Sequence, residues 1–308
     1  LSVFGDGDDI VESSDSWDLI GPSSLGTLTL DRFVNGAGTL DTSVLVFDNT
    51  GVINFSAGAS FSNSMLNDGA LTSSDGTYTN NGVIVLGVAG SIDTSGAATL
   101  AGTGLFSIEG SLSVQDDTIA AGAIVDGNVG TIGLEGTVII DGELILGTAT
   151  TVDGASAVTL TGAGTLVNQG AHEIDDAPVF AVDTLINQGL FTFSTLTPTI
   201  TSGTIVNEAG ATLAFQVDAT VDMLAGQTVT NDGLLTVSSS HLTFLDGIIE
   251  NASDLNLANG ASTLTVTNGT ISMQAGSNVV VNGKLVLNNA DFDVGVGAGF
   301  TLGAVGSG

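Results

Sequence analysis

The stretch that decides the fold runs from residue 164 to residue 189 and contains one short pattern twice, as Gly164-Thr-Leu-Val-Asn-Gln-Gly170 and Asp183-Thr-Leu-Ile-Asn-Gln-Gly189. Each copy reads as a short β-strand of Thr and aliphatic residues, followed by an asparagine and a turn. The pattern continues around three later asparagines, which completes the series Asn168, Asn187, Asn207, Asn231 and Asn251. Their steps of 19, 20, 24 and 20 residues predict a β-solenoid with about 20 residues per turn.

The pattern extends toward the N-terminus in looser copies, at Phe47-Asp-Asn-Thr-Gly51, Met65-Leu-Asn-Asp-Gly69 and Tyr78-Thr-Asn-Asn-Gly82. Helical periodicity is missing, while short aliphatic runs bounded by Gly, Asn or Asp recur along the chain. We therefore expect an all-β parallel β-helix that runs continuously from residue 25 to residue 308, after an acidic segment or cap at residues 1–24. The alternative is a sandwich or barrel in which Asn-Gly marks hairpin turns, but hairpins do not explain the regular recurrence.

The recurring asparagine has a physical role in such a coil. Its amide both donates and accepts hydrogen bonds, so stacked asparagines about 4.8 Å apart can form a ladder along the solenoid. We therefore expect the five asparagines from Asn168 to Asn251 to form a structural ladder at an inward corner. The glycine that follows is expected to supply a positive φ.

The charge balance limits the classes of partner. The chain has 33 acidic residues against two basic ones, Arg32 and Lys284, for a net charge of −31. Such a surface repels nucleic acid, whose binding depends on Lys and Arg, and it attracts cations. Cysteine is absent, which excludes disulfides and thiol chemistry. The longest apolar run, residues 82–90, is shorter than the roughly 18 residues a spanning helix needs, so no transmembrane segment is expected.

One acidic motif indicates a metal site. The stretch Gly5-Asp-Gly-Asp-Asp-Ile-Val11 resembles one copy of the calcium-binding nonapeptide of repeats-in-toxin proteins, with Phe4 in place of the first glycine. We expect Asp6, Asp8 and Asp9 to be candidate ligands of Ca²⁺, the only cofactor that the sequence suggests, because this ion prefers carboxylate and carbonyl oxygens. The alternative is a solvated acidic segment.

Catalysis is not expected. The adjacent pair Asp116-Asp117 is interpreted as a turn, because neighbouring residues on a strand point to opposite faces and rarely share one site. A polysaccharide-active β-helix is the enzyme alternative. Two basic residues near opposite ends of the sequence are too few for a lyase site. Trp17 and Tyr78 are the only Trp and Tyr, so aromatic platforms for sugars are scarce.

The Gly-Thr-Leu-Val-Asn-Gln-Gly and Asp-Thr-Leu-Ile-Asn-Gln-Gly copies resemble the repeats of bacterial secreted β-helix proteins, namely autotransporter passenger domains and filamentous-haemagglutinin-like adhesins. The resemblance implies a right-handed parallel β-helix, secreted or displayed at the cell surface, and carries over no catalytic residue. We expect a structural protein that associates with itself as a filament or surface-layer subunit. The alternative is an adhesin stalk or passenger domain that binds glycans or other surface proteins.

Overall fold

The computed structural model describes residues 76–94, 98–127, 129–153, 158–174, 179–194, 198–223, 227–238 and 240–303, together with ten strands between residues 11 and 73. The described residues contain strands and turns and no helix. The chain divides into two compact units, Leu1–Ser156 and Ala157–Gly308. Each unit is a parallel β-solenoid in which three short strands make one turn.

Unit 1 has three faces, here called A, B and C in the order in which the chain visits them. Face A consists of Val11–Ser13, Phe33–Gly36, Val52–Phe55, Ala70–Ser73, Ser91–Thr94, Ser111–Gln115, Thr131–Glu135 and Thr151–Asp153. Face B consists of Trp17–Leu19, Leu40–Thr42, Gly58–Phe61, Gly76–Asn80, Ala98–Gly102, Thr118–Ile119 and Thr137–Ile140. Face C consists of Thr27–Leu30, Val46–Asn49, Ser64–Asn67, Val83–Leu86, Leu105–Ile108, Ile124–Asp126 and Glu143–Leu146.

Unit 2 also has three faces, here called D, E and F. Thr159–Asn168 and Val179–Asn187 each run along face D and continue onto face E. Face D continues with Thr199–Ile200, Ala219–Asp222, His241–Leu245, Thr263–Thr267 and Lys284–Asn288. Face E continues with Thr204–Asn207, Thr228–Asn231, Ile248–Asn251, Thr270–Met273 and Asp291–Val294. Face F consists of Ala171–Ile174, Leu190–Phe193, Thr212–Phe215, Leu234–Val237, Asp254–Leu257, Asn278–Val281 and Gly299–Leu302.

The stacking is parallel and in register. On face A, Ile92 is the partner of Leu112, and Leu112 is the partner of Ile132, which gives 20 residues per turn. Across the molecule a turn takes roughly 21 residues. The prediction of an all-β parallel solenoid with about 20 residues per turn is therefore confirmed.

Strands lie on both sides of residue 24. Residues 1–24 contribute strands Val11–Ser13 and Trp17–Leu19, which pair in parallel with the following turn. Residues 25–156 belong to the first compact unit and residues 157–308 to the second. The division into an acidic segment or cap and a continuous array of repeats stays a prediction.

Alternation of side chains builds the core of each unit. Strands such as Val83–Leu86 and Thr137–Ile140 bury every second residue, because successive side chains on a strand point to opposite faces. The buried positions hold Ile, Leu, Val and Phe with exposures near zero. In unit 2 four aromatic rings, Phe180, Phe191, Phe193 and Phe215, contact one another with centroid distances of 5.2 to 6.1 Å.

Two of the glycines after the repeated asparagines have a different role from the one expected, whereas Gly210, in the Asn207 copy, has the expected positive φ of 86°. Gly189 and Gly233 do not adopt a positive φ. A Cβ atom on Gly189 would lie 2.0 Å from the carbonyl oxygen of Gly170, and one on Gly233 would lie 2.3 Å from that of Ala211. These glycines are required because the backbones of successive turns approach closely at this corner. Positive φ also occurs at another corner, where Asp246, Asn268 and Asn289 follow one another on successive turns.

This close approach predicts the effect of adding one methyl group. Gly189→Ala should lower the free energy of unfolding by about 1 to 3 kcal/mol, because the new methyl group overlaps a backbone carbonyl that cannot rotate away. Gly260→Ala is the matched control, since a Cβ atom there would have no neighbour within 4 Å and the φ of Gly260 is not positive. Urea denaturation followed by circular dichroism measures both. Equal midpoints for the two variants would contradict the steric role of Gly189.

Candidate functional site

The most extended polar feature of unit 2 is a buried ladder of asparagine side chains. Each asparagine ends a strand segment of face E and is 0 % exposed. The Nδ2 atom of each donates to the Oδ1 atom of the next, over distances of 2.6, 2.7, 2.7 and 2.6 Å along Asn168, Asn187, Asn207, Asn231 and Asn251. The ladder joins five successive turns through one continuous chain of amides.

The second amide hydrogen of Asn187, Asn207 and Asn231 holds the corner of the next turn, whereas Asn168 and Asn251 donate to a carbonyl two residues further along their own turn. Asn187 Nδ2 also donates to the carbonyl oxygen of Thr212 at 2.8 Å, and Asn207 Nδ2 donates to that of Leu234 at 3.0 Å. These carbonyls begin the strands of face F. The ladder therefore satisfies backbone acceptors that lie at the bend between two faces, where an unpaired buried group would be costly.

The two ends of the ladder differ in chemistry. At the first end, the Nδ1 atom of His172 lies within hydrogen-bond distance of Asn168 Oδ1. Because Asn168 Nδ2 already donates to Gly170 and Asn187, its Oδ1 accepts, and we assign the hydrogen to Nδ1 of His172. At the other end, the residue that follows Asn251 in the column is the buried Met273.

The earlier asparagine copies do not form one column. Asn49 and Asn67 are backbone partners on face C, and the next position in that column is Leu86. Asn80 lies on face B opposite Gly102, and its Nδ2 donates to the carbonyl oxygen of Leu105 at 2.9 Å. Sequence similarity alone thus grouped residues from different corners of the turn.

A buried carboxyl group lies at a corner of unit 1. Asp117 is 1 % exposed. Its Oδ1 accepts from the backbone N–H of Ala98 at 2.6 Å, its Oδ2 accepts from that of Gln115 at 2.8 Å, and the hydroxyl of Thr94 also contacts Oδ2. Burial raises the pKa of Asp117 to about 6, although the hydrogen bonds from these three residues act to lower it.

Asp116 and Asp117 both lie in the short connection between strands Ser111–Gln115 and Thr118–Ile119, but their side chains differ in burial. Asp116 is exposed, has φ 56°, and accepts a hydrogen bond from the backbone N–H of Thr137 at 2.8 Å. Asp117 is buried and bridges two turns. Two adjacent acidic residues in a sequence do not predict which one is buried, because the burial of Asp117 depends on contacts with the preceding turn.

An exposed pair lies on unit 2. The carboxylate of Asp218 accepts the backbone N–H of His241 at 2.7 Å and lies 3.1 Å from its Nδ1. The hydrogen bond from the backbone of His241, followed by the one from its side chain, lowers the pKa of Asp218. Both side chains are more than half exposed, so solvent screening keeps the contribution of this pair small.

Face A carries a shallow open groove on its outer surface. Its outward-facing lining is formed by hydroxyls, carboxylates and one glycine: Ser91, Asp93, Ser111, Ser113, Thr131, Gly133 and Glu135. The row Ser91, Ser111, Thr131 follows the register of three adjacent strands. The groove therefore presents a regular array of hydrogen-bonding groups rather than an enclosed cavity.

The turn formed by Lys284–Asn288, Asp291–Val294 and Gly299–Leu302 exposes the ends of the core columns. Leu287 is 40 %, Val294 is 54 % and Leu302 is 71 % exposed. Their partners one turn earlier, Val266, Met273 and Val281, are at most 5 % exposed. Within the described residues, these three strands pair on one side only.

The calcium prediction lies outside the described residues, because Asp6, Asp8 and Asp9 are not among them. In the part of the chain that the structure does describe, no three His, Cys, Asp or Glu side chains are grouped as a metal site would require. Nor do those residues include a helix long and apolar enough to cross a membrane. No protein-family model, no curated protein and no solved structure matches the chain.

The amide ladder predicts a large effect for removal of one rung. Asn207→Leu should lower the free energy of unfolding by about 1 to 3 kcal/mol, because it strands Asn187 Nδ2, Asn231 Oδ1 and the carbonyl of Leu234. Gln188→Leu removes an exposed amide one residue beyond Asn187 and should change stability by less than about 0.5 kcal/mol. Urea denaturation of both variants measures the difference. An unchanged midpoint for Asn207→Leu would show that the ladder does not stabilise the fold.

Proposed function

We propose that this protein is an extracellular structural protein whose copies associate with one another as a filament or as subunits of a surface layer. The observation that carries the proposal is the parallel stacking of three-stranded turns, because a turn of a second copy has the geometry to pair in the same way. In the described part of the chain, the three parallel strands of residues 284–302 pair on one side only, around an apolar centre made of Leu287, Val294, Phe300 and Leu302. Exposed strand edges of this kind pair readily with another chain.

A second copy of the same chain suits this surface because its own turns have the matching geometry. A turn of a three-faced parallel solenoid can pair with all three strands at once and continue the core columns. The first described turn of unit 1 supplies strands Val11–Ser13, Trp17–Leu19 and Thr27–Leu30, each paired with one neighbour in the described structure. We propose that contact between these two turns produces head-to-tail assembly, since a heterologous contact repeats without closing.

The charge of the chain makes this assembly dependent on ions. With a net charge of −31 per copy, two copies repel each other at low ionic strength, and salt shortens the range of that repulsion to about 8 Å at 0.15 M. Divalent cations neutralise carboxylates more effectively. Calcium bound by Asp6, Asp8 and Asp9 near the first turn remains part of this proposal as a candidate contributor.

Secretion or cell-surface display is proposed on the resemblance of the repeats. The repeats resemble those of autotransporter passenger domains and filamentous-haemagglutinin-like adhesins, and these too are parallel β-helices. A solenoid without cysteine obtains its stability from stacked turns. The proposed role is structural and needs no catalytic group.

A substitution in the exposed turn tests self-association. Sedimentation velocity and negative-stain microscopy of the full chain, at 20, 150 and 500 mM NaCl and with millimolar Ca²⁺, should show concentration-dependent polymers that grow with ionic strength. Leu302→Asp should raise the protein concentration needed for assembly at least tenfold, because it buries a charge at the contact. Val296→Asp is the matched control, since Val296 is 96 % exposed and lies between the paired strands. The proposal would be refuted if the wild-type chain stayed monomeric under all conditions, or if both variants lost assembly to the same extent.

The groove on face A favours a second candidate function, the glycan-binding stalk. Hydroxyls of Ser91, Ser111 and Thr131 with the carboxylates of Asp93 and Glu135 can exchange hydrogen bonds with sugar hydroxyls. A glycan array probed with the purified chain tests this function. Binding that is lost in Ser111→Leu, while the chain stays monomeric, would support the stalk over the filament.

A further inference from the structure

A buried carboxyl group joins two successive turns of unit 1. Asp117 follows strand Ser111–Gln115, whereas its partners Thr94 and Ala98 belong to the preceding turn, 23 and 19 residues earlier. The side chain therefore crosses from one turn to the other at the corner between faces A and B. Among the residues between 77 and 303 whose side-chain burial the structure describes, it is the one acidic side chain that is fully buried.

Counting hydrogens in this cluster indicates the protonation state that it accommodates. The Oγ1 atom of Thr94 lies 2.6 Å from the carbonyl oxygen of Ser113 and also within hydrogen-bond distance of Asp117 Oδ2. A hydroxyl has one hydrogen, and a backbone carbonyl only accepts. With Asp117 ionised, one hydrogen must serve two acceptors. With Asp117 protonated on Oδ2, this oxygen donates to Thr94 and Thr94 donates to Ser113, so each contact contains one hydrogen.

We propose that Asp117 is a proton-operated staple between these two turns. Protonated, it completes the chain from Asp117 through Thr94 to Ser113 and strengthens the corner. Ionised, it leaves two oxygens facing each other and loosens the attachment of strand Ala98–Gly102 to the turn that follows. This switch is independent of self-association and needs no ligand.

The charged surroundings of the staple favour its neutral form. Asp116 is adjacent in sequence, Asp93 neighbours Thr94 on the preceding turn, and Glu135 is the backbone partner of Gln115 on the following turn. All three are acidic, and Asp116 repels a negative charge on Asp117. Burial acts in the same direction and raises the pKa of Asp117 to about 6.

The sign of the pH dependence follows from this shift. The folded chain holds the proton up to pH about 6, whereas an unfolded aspartate loses it near pH 3.9. Between these values the folded state binds more protons, so stability falls as the pH rises. The contribution of Asp117 is complete below pH about 4 and lost above pH about 6. Two pKa units correspond to about a 100-fold change in the equilibrium constant for opening.

Carbon-13 NMR of the full chain labelled at aspartate carboxyl groups tests the protonation state directly. We expect one resonance with a midpoint near pH 6 that is absent from Asp117→Asn and retained in Asp232→Asn, a control acid that is exposed on unit 2. A midpoint at or below pH 4 for Asp117 would overturn the proposal. If Asp117→Asn fails to fold, sequential assignment of the wild-type resonance gives the same answer.

Hydrogen exchange tests the mechanical consequence. After correction for the intrinsic pH dependence of exchange, protection of the Ala98 and Gln115 amides should fall by up to about 100-fold between pH 4 and pH 7. The amide of Leu255 in unit 2 serves as an internal reference, and Asp232→Asn should behave as the wild type. Equal pH dependence at Ala98 and Leu255 would show that Asp117 does not control the corner.

Discussion

Hydrogen bonding of each turn to the next through parallel, in-register strands is the interaction on which the rest of the structure depends. Once two turns pair along all three faces, every position in one turn lies about 4.8 Å from the same position in the next. Side chains at equivalent positions are then arranged in columns, and the side chains of one column must be able to stack on one another. The 24-residue step between Asn207 and Asn231 preserves the register, because the extra residues lie outside the paired strands.

This requirement separates the two kinds of buried polar group. Asparagine carries a donor and an acceptor on one planar amide, so a column of asparagines is self-complementary. Aspartate only accepts when ionised, and stacked aspartates would repel one another. The column of unit 2 accordingly holds five consecutive asparagines, whereas the buried Asp117 of unit 1 occurs singly and takes its donors from the backbone and from Thr94.

The sequence predicted the functional residues that belong to a repeated motif and did not predict those that occur once. The asparagines from Asn168 to Asn251 could be recognised because one motif recurs at nearly constant spacing. Asn80 has the same local sequence signature as Asn49 and Asn67 but occupies another corner of unit 1, since the phase of a motif within a turn depends on the lengths of the preceding strands and corners. His172 and Met273, which flank the ladder, belong to no repeated pattern. The role of Asp117 depends on Thr94 and Ala98, which are distant in sequence.

The sequence by itself determined the all-β class, the parallel solenoid and its period, because alternation and recurrence are properties of the linear chain. It also determined that the surface is strongly acidic. Only the tertiary structure decided which atoms meet across a turn: that Gly189 is required by the carbonyl of Gly170 rather than by its own φ, and that Asp117 is buried while Asp116 is exposed. The physical reason is that steric overlap, burial and protonation depend on distances between turns, which are set when the turns stack.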